Sequence, residues 1–136
     1  MATKSERPEA AESKAAFLAN IRIERDEPIE VEGAKVQALG DAGYCRVKAL
    51  RDNEAMKHKG DERLTAYSQA ERAAYLTVGV VEPAMPFPEW MHILKTANTG
   101  KIETIIETIK RISGIEDIEV ALAKKALEQI QSPTAS

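Results

Sequence analysis

The sequence predicts a mainly α-helical protein with a small β-ribbon, an α+β fold of four to five helices and an N-terminal hairpin. Three observations lead to this prediction. Ala, Glu, Lys and Ile are common whereas Gly and Pro are few, a composition that favours helices. Apolar residues recur at three- and four-residue spacing in the C-terminal half, which is typical of helices. They alternate with polar residues mainly between about residues 28 and 39, which is typical of strands.

The length of 136 residues fits a single domain. A chain of this size can form a core without disulfides or metals. We assign the domain to residues 17–131 and predict a flexible tail at residues 132–136. Aromatic residues make up only 4% of the chain, so the core must be mainly aliphatic.

The N-terminal residues 1–16 are predicted to be flexible, because Met1 to Glu12 is polar and charged. Residues 13–20 are predicted to form a short turn of helix. Phe17 and Leu18 are its only large apolar side chains.

A β-ribbon is predicted at about residues 28–39. Ile29 and Val31, and then Val36 and Ala38, alternate with polar residues, and the turn Glu32-Gly33-Ala34 separates the two runs. Two strands alone are marginally stable in water. The ribbon must therefore pack on a helix or pair with another chain.

A thin apolar stripe predicts the first long helix, from Gly40 or Asp41 to about Lys59. The stripe consists of Tyr44, Val47, Leu50 and Ala55. Its polar C-terminal part is expected to project into solvent or to bind a partner. Cys45, the single cysteine, excludes an internal disulfide. A buried structural thiol is predicted there, because no base lies nearby in sequence.

The segment from Leu64 to Lys95 is predicted to form a helix, a stop and a short second helix. The stripe of the first helix is Leu64, Tyr67, Ala70, Ala74, Val78 and Val81. Pro83 prevents its continuation, and Pro88 suits the first turn of the next helix. A cluster of Phe87, Trp90, Met91 and Leu94 follows. Core packing is the preferred interpretation for Trp90 and Leu94.

The most regular apolar stripe predicts a helix from Lys101 to Ser113. Its members are Ile102, Ile105, Ile106, Ile109 and Ile112. Asn98 or Thr99 can cap its N-terminus, and Gly114 is placed to end it.

A last helix is predicted from about Glu116 to Gln129, with apolar residues over more than half of its circumference. One row consists of Ile115, Ile118, Leu122 and Ala126, and the adjoining row of Val120, Ala123, Leu127 and Ile130. The helix is either enclosed within its own monomer or shared between its own core and a second protein. We prefer the enclosed interpretation narrowly.

Sequence patterns typical of enzymes and metal sites are not found. The sequence contains no glycine-rich phosphate loop, no G-x-S-x-G and no H-E-x-x-H. His58 and His92 lie far apart, and neither has a second metal ligand at ligand spacing. We therefore expect a protein that is not an enzyme and that has no metal or other cofactor.

The charge pattern argues against nucleic acid as a partner. The net charge is −3, and acidic residues interrupt the basic ones between Arg46 and Arg63, which predicts a mixed solvated face. No apolar run approaches the roughly 20 residues of a membrane span, and the N-terminus lacks the apolar region of a secretory signal. We expect a cytoplasmic protein with neither nucleic acid nor membrane as partner.

The segments follow one another in a distinctive order. FLAN at residues 17–20 precedes the charged ribbon, and LGDAGYCRVKALR at residues 39–51 opens a helix. AAYLTVGVVEP at residues 73–83, the isoleucine-striped helix and ISGIED at residues 112–117 complete the order. This order resembles that of the XkdN-like family of phage tail assembly chaperones, from Phe17 to Asp117.

The resemblance implies a protein that acts in the host cell cytoplasm while a phage or prophage builds a long tail. Such chaperones coat the helical tail tape measure protein and help to recruit tail tube subunits. Self-association stays open. The last helix extends beyond the usual end of the family, so the resemblance implies nothing about its C-terminal surface.

Six side chains are predicted to contact a partner: Phe87, Trp90, Met91, Val120, Leu127 and Ile130. Core packing is the competing interpretation for each. Two other functions stay open. One is a small structural adaptor retained in a phage tail or tail-like particle, which uses the ribbon for strand addition. The other is a helical DNA-binding regulator, ranked last because Glu89 and its apolar neighbours do not suit a recognition helix.

Overall fold

The structure is a computed structural model that describes residues 8–21 and 28–131. The helices in these ranges are α1 (Pro8–Ile21), α2 (Asp41–Ala55), α3 (Asp61–Gly79), α4 (Phe87–Ile93), α5 (Thr99–Ser113) and α6 (Ile115–Gln131). The strands are β1 (Ile29–Val31), β2 (Ala34–Val36) and β3 (Val80–Glu82). The predicted mainly helical α+β fold is confirmed. Helix α1 begins at Pro8, before the predicted residue 13, and so includes residues 8–16 of the segment predicted to be flexible. Residues 1–7 of that segment and the predicted tail at residues 132–136 lie outside the described residues.

The three strands form an antiparallel sheet in the order β1-β2-β3. The predicted hairpin is confirmed, and its turn consists of Glu32 and Gly33, with φ of 49° and 79°. Two successive positive φ angles match the twist of a two-residue hairpin. Glycine adopts a positive φ without strain, which suits Gly33 at the second position. Ala34 and Val36 of β2 are buried in the core, so the ribbon packs on helices of its own chain.

The third strand departs from the sequence prediction. The helix predicted from the stripe that starts at Leu64 was expected to continue to Val81. Instead α3 ends at Gly79, and the next three residues form β3, in which Val80 and Glu82 pair with β2. Val80 is buried whereas Val81 is exposed, the alternation of a strand. Since β-branched residues suit strands, Val81 satisfies a strand as well as the helical spacing on which the prediction rested.

The core is built mainly from α3, α5 and the sheet. The largest fully buried side chains are Leu76, Ile109, Ile115, Val36 and Val47. On α3 the buried face contains several alanines, whereas Leu64 is exposed, so the predicted stripe of this helix was partly wrong. Small side chains let neighbouring helices approach α3 closely.

Helix α5 matches its prediction. Four isoleucines of the stripe are buried, and Ile112 is partly buried. The Asn98 side-chain oxygen accepts a hydrogen bond from the Lys101 backbone N–H at 3.1 Å, which caps the N-terminus. Gly114 ends the helix in the left-handed conformation, with φ of 73°.

Helix α2 ends at Ala55, four residues before the predicted end. Its predicted stripe is confirmed, since Val47 and Ala55 are buried and Tyr44 and Leu50 pack partly buried against the core. Cys45 is exposed, so the prediction of a buried thiol was wrong. Two residues correspond to about 200° around a helix, which places Cys45 on the side opposite to Val47.

Gly79 lets α3 lie directly against α5. A Cβ atom at this position would be 2.6 Å from Cδ1 and 2.9 Å from Cγ2 of Ile109. Non-bonded carbons prefer about 3.5–4.0 Å. Ile109 is fully buried, so it cannot move aside without displacing its neighbours.

Replacing Gly79 by alanine is therefore expected to destabilise the protein by about 1–3 kcal/mol through overpacking. Gly100→Ala is the matched control, because the added Cβ would meet only Asn98 at 3.4 Å, near the exposed start of α5. There alanine should be neutral or stabilising, by up to about 1 kcal/mol. Urea unfolding of both variants checks this. Equal stability of the two variants would contradict the steric argument.

Candidate protein-binding surfaces

The C-terminal part of α6 exposes its apolar side chains. Ile115 at the start of the helix is only 2% exposed and anchors it to the core. From Val120 to Ile130 every side chain is exposed. The large apolar ones are Val120 at 65%, Leu122 at 60%, Leu127 at 55% and Ile130 at 80%. The preferred interpretation of an enclosed helix was therefore wrong.

The path of the chain at Gly114 explains why α6 is not enclosed within the monomer. The left-handed residue ends α5 and directs the chain into α6 at Ile115. A periodic sequence shows that a helix has an apolar face, but it does not show whether the core extends along that face. Here the core covers Ile115 and does not cover Val120, Leu127 or Ile130.

The exposed part of α6 is strongly amphipathic. At about 100° per residue, its apolar side chains other than Ala121 fall within an arc of about 160°. They are Val120, Leu122, Ala123, Ala126, Leu127 and Ile130, which we call the α6 face. Lys124, Lys125 and Glu128 lie on the other side. An amphipathic helix of this kind is typical of segments that bind an apolar groove or another helix.

A second apolar surface lies between α2 and α4. It is a groove of about 360 Å³ lined by Leu50, Asn53, Glu54, Lys57, Phe87, Pro88 and Met91. Pro88 occupies the first turn of α4, as predicted. Phe87 and Met91 are partly buried rather than enclosed. The structure thus brings two of the predicted contact residues together with Leu50, which the sequence had assigned only to a thin stripe.

This groove continues into a second depression along α3. The second depression has about 390 Å³ and is lined by Glu54, His58, Glu62, Thr65, Ala66, Gln69 and Met91. Because Glu54 and Met91 border both spaces, the two form one extended surface, which we call the α2–α4 trough. Its apolar floor and charged rim are typical of a surface that accepts an amphipathic helix.

Trp90 belongs to the core and not to the trough. Its side chain is 5% exposed and lies in the main hydrophobic cluster. Its Nε1 has no hydrogen-bond partner among the described residues. The core interpretation of Trp90 is therefore the one that fits the structure, and the indole is not accessible to a partner.

A third surface, between α2 and α3, is polar. The Arg51 guanidinium hydrogen-bonds Asp52 at 2.9 Å and Glu71 at 3.2 Å, and it lies 4.5 Å from the centre of the Tyr67 ring. Burial lowers the pKa of Arg51, but the hydrogen bonds to the two carboxylates outweigh burial, so the net pKa is raised. The Arg51 side chain is thus only 18% exposed, less solvated than the mixed face on which the sequence placed it.

The described ranges 8–21 and 28–131 contain no cluster of three or more His, Cys, Asp or Glu residues that could hold a metal ion. Within the same ranges, no helix combines the length and apolar character that a membrane span requires. His58 Nε2 lies 3.8 Å from a Glu54 oxygen, whereas His92 is exposed on α4.

Comparison of the chain with protein-family models gave no match, and neither did comparison with curated proteins or with solved structures. The choice among functions therefore depends on the α6 face, the α2–α4 trough and the order of segments in the sequence.

Because the α6 face is not packed in the monomer, Leu127→Asp should change the free energy of unfolding by less than about 0.5 kcal/mol. Ile109→Ala, at a fully buried position, should cost about 2–5 kcal/mol. Chemical unfolding at low protein concentration, where association adds little, measures both. A large loss in the Leu127 variant would show that α6 packs on its own domain.

Proposed function

We propose that the protein is a phage tail assembly chaperone that binds amphipathic helices of the tail tape measure protein in the host cytoplasm. The observation that carries the proposal is the exposed α6 face. Its four large apolar side chains are each more than half exposed. Clustered apolar exposure of this kind marks a binding surface more often than a solvated one.

The α2–α4 trough supports the same function. A tape measure protein, as the resemblance implies, is long and helical, and the apolar stripes of its helices need cover before assembly. Met91 at the centre of the trough is unbranched and flexible, so it can adapt to stripes of different sequence. Binding many similar helices requires this tolerance.

The remaining surface suits a protein that keeps an insoluble partner in solution. Charged residues make up 30% of the chain, and ion pairs such as Arg72–Glu103 at 2.7 Å lie on its polar faces. Covering a partner's apolar stripe with this protein replaces apolar surface by charged surface. No reaction is required for this function.

A second candidate function is a structural adaptor that stays in the tail. The observation that favours it is the edge strand β1, where Ile29 is 44% exposed and can pair with a strand of another chain. The three-residue length of β1 limits such pairing. We therefore rank the adaptor second.

Co-expression with the tape measure protein of the same genome tests the proposal. We expect the tape measure protein to become soluble and to co-elute with many copies of this chain in size-exclusion chromatography. Leu127→Asp should reduce the soluble tape measure protein at least several-fold, because the charge disrupts the α6 face.

Ala121→Asp is the matched control, since it adds the same charge to the polar side of the same exposed helix. It should behave like the unmodified protein. The proposal fails if the tape measure protein stays insoluble and this chain elutes alone. Its presence in purified tails in a fixed symmetric number would then support the adaptor.

A further inference from the structure

We infer that the open edge of β1 binds an extended segment of a different protein, in which a lysine or arginine stands between two apolar residues. The inference rests on the strand addition at β1 that the adaptor function uses, and it assigns the chemistry of the strand that is added. The chaperone function uses the α6 face and the α2–α4 trough instead, so it does not depend on this edge.

The backbone hydrogen-bonding groups of Glu30 point away from β2. Val31 pairs with Ala34 across the two-residue turn. Two positions before Val31, Ile29 pairs with Val36. In such a hairpin the residues that flank the turn exchange both backbone hydrogen bonds, and the pattern alternates along the strands. Glu30 therefore directs its N–H and its carbonyl oxygen to the outer side of β1, the edge strand of the sheet. A residue of an added strand can pair there through two hydrogen bonds.

A row of alternating charges crosses the solvent face of the sheet and ends at Glu30. Glu30 lies opposite Lys35 of β2, which lies opposite Glu82 of β3. Lys35 Nζ is 3.3 Å from a Glu82 carboxylate oxygen, and all three residues are exposed. In an added strand, the residue paired with Glu30 has its side chain on this same face. A lysine or arginine there continues the alternation, and opposite charges at paired positions stabilise a sheet.

The other face of β1 determines the neighbours of this cation. Ile29 and Val31 lie on the face that carries the buried side chains of β2. Val31 is partly buried against the core, but Ile29 is 44% exposed. Because side chains alternate along a strand, the residues before and after the added cation lie on the same face as Ile29. Apolar side chains at these two positions would cover the exposed part of Ile29.

The same charges make a second copy of this chain a poor partner for the edge. An antiparallel β1 of a second copy would place Glu30 opposite Glu30. A shift by two residues would place it opposite Glu32, or opposite Pro28, which has no N–H. Like charges at paired positions destabilise a sheet. The β3 edge is less suitable, because its register with β2 is irregular and Pro83 follows it directly.

Titration of the isotope-labelled full chain with synthetic peptides, followed by NMR, tests the inference. The probe is acetyl-STVKVTS-amide, which has its lysine between two valines. We expect the largest response at the backbone N–H of Glu30. The same peptide with glutamate in place of lysine should bind about two- to thirtyfold more weakly. A probe with an N-methylated central lysine lacks the backbone N–H that Glu30 would accept, and it should bind about two- to tenfold more weakly.

Glu30→Lys should reverse the preference, so that the glutamate peptide binds better than the lysine peptide. Glu89→Lys, at an exposed position on α4, is the matched control because it makes the same change in net charge, and it should leave the preference unchanged. If the NMR spectrum shows that Glu30→Lys disturbs the sheet, Glu30→Gln replaces it and should bind both peptides equally.

The inference is wrong if the Glu30 amide does not respond to the lysine peptide at millimolar concentration, or if the glutamate peptide binds as well. It is also wrong if the N-methylated peptide binds as well as the probe, because charges would then attract without strand addition. None of these results bears on the chaperone function, which co-expression with the tape measure protein tests. Absence of the protein from purified tails would refute the adaptor and leave binding of a basic strand intact.

Discussion

The contact between Gly79 and Ile109 determines how the helices and the sheet fit together. Because residue 79 has no Cβ, the buried Ile109 side chain fills the space beside the α3 backbone. The Gly79 carbonyl oxygen also accepts a hydrogen bond from the Gln37 N–H at 2.9 Å, and β3 begins at the next residue. One residue therefore joins the packing of α3 on α5 to the hydrogen bonds of the sheet.

The two apolar surfaces differ in how they arise from this core. The trough forms where α4, held by the buried Trp90, lies beside α2 and α3. The α6 face arises because the helix continues after the core has ended at Ile115. The first surface is a consequence of packing and the second a consequence of helix length. A protein with both surfaces can bind a partner through its own exposed helix and can also bind a helix of a partner in its trough.

The sequence predicted what depends on local spacing and failed where the outcome depends on distant residues. The isoleucine stripe, Asn98 and Gly114 defined α5 almost to the residue, because periodicity and capping act within a few residues. Val81 matched the helical stripe, yet it lies in β3, the strand that pairs with β2. Phe87 and Met91 were found as candidates, but Leu50 joins them only in three dimensions. The exposure of α6 depends on where the core ends, and no local pattern encodes that.

The left-handed conformation of Gly114 gives α6 a defined direction relative to the body of the protein. A partner bound to the α6 face would therefore be held at an angle to the core that this turn determines. The strength of its binding would depend on the exposed apolar side chains from Val120 to Ile130, so orientation and affinity are encoded in different parts of the chain.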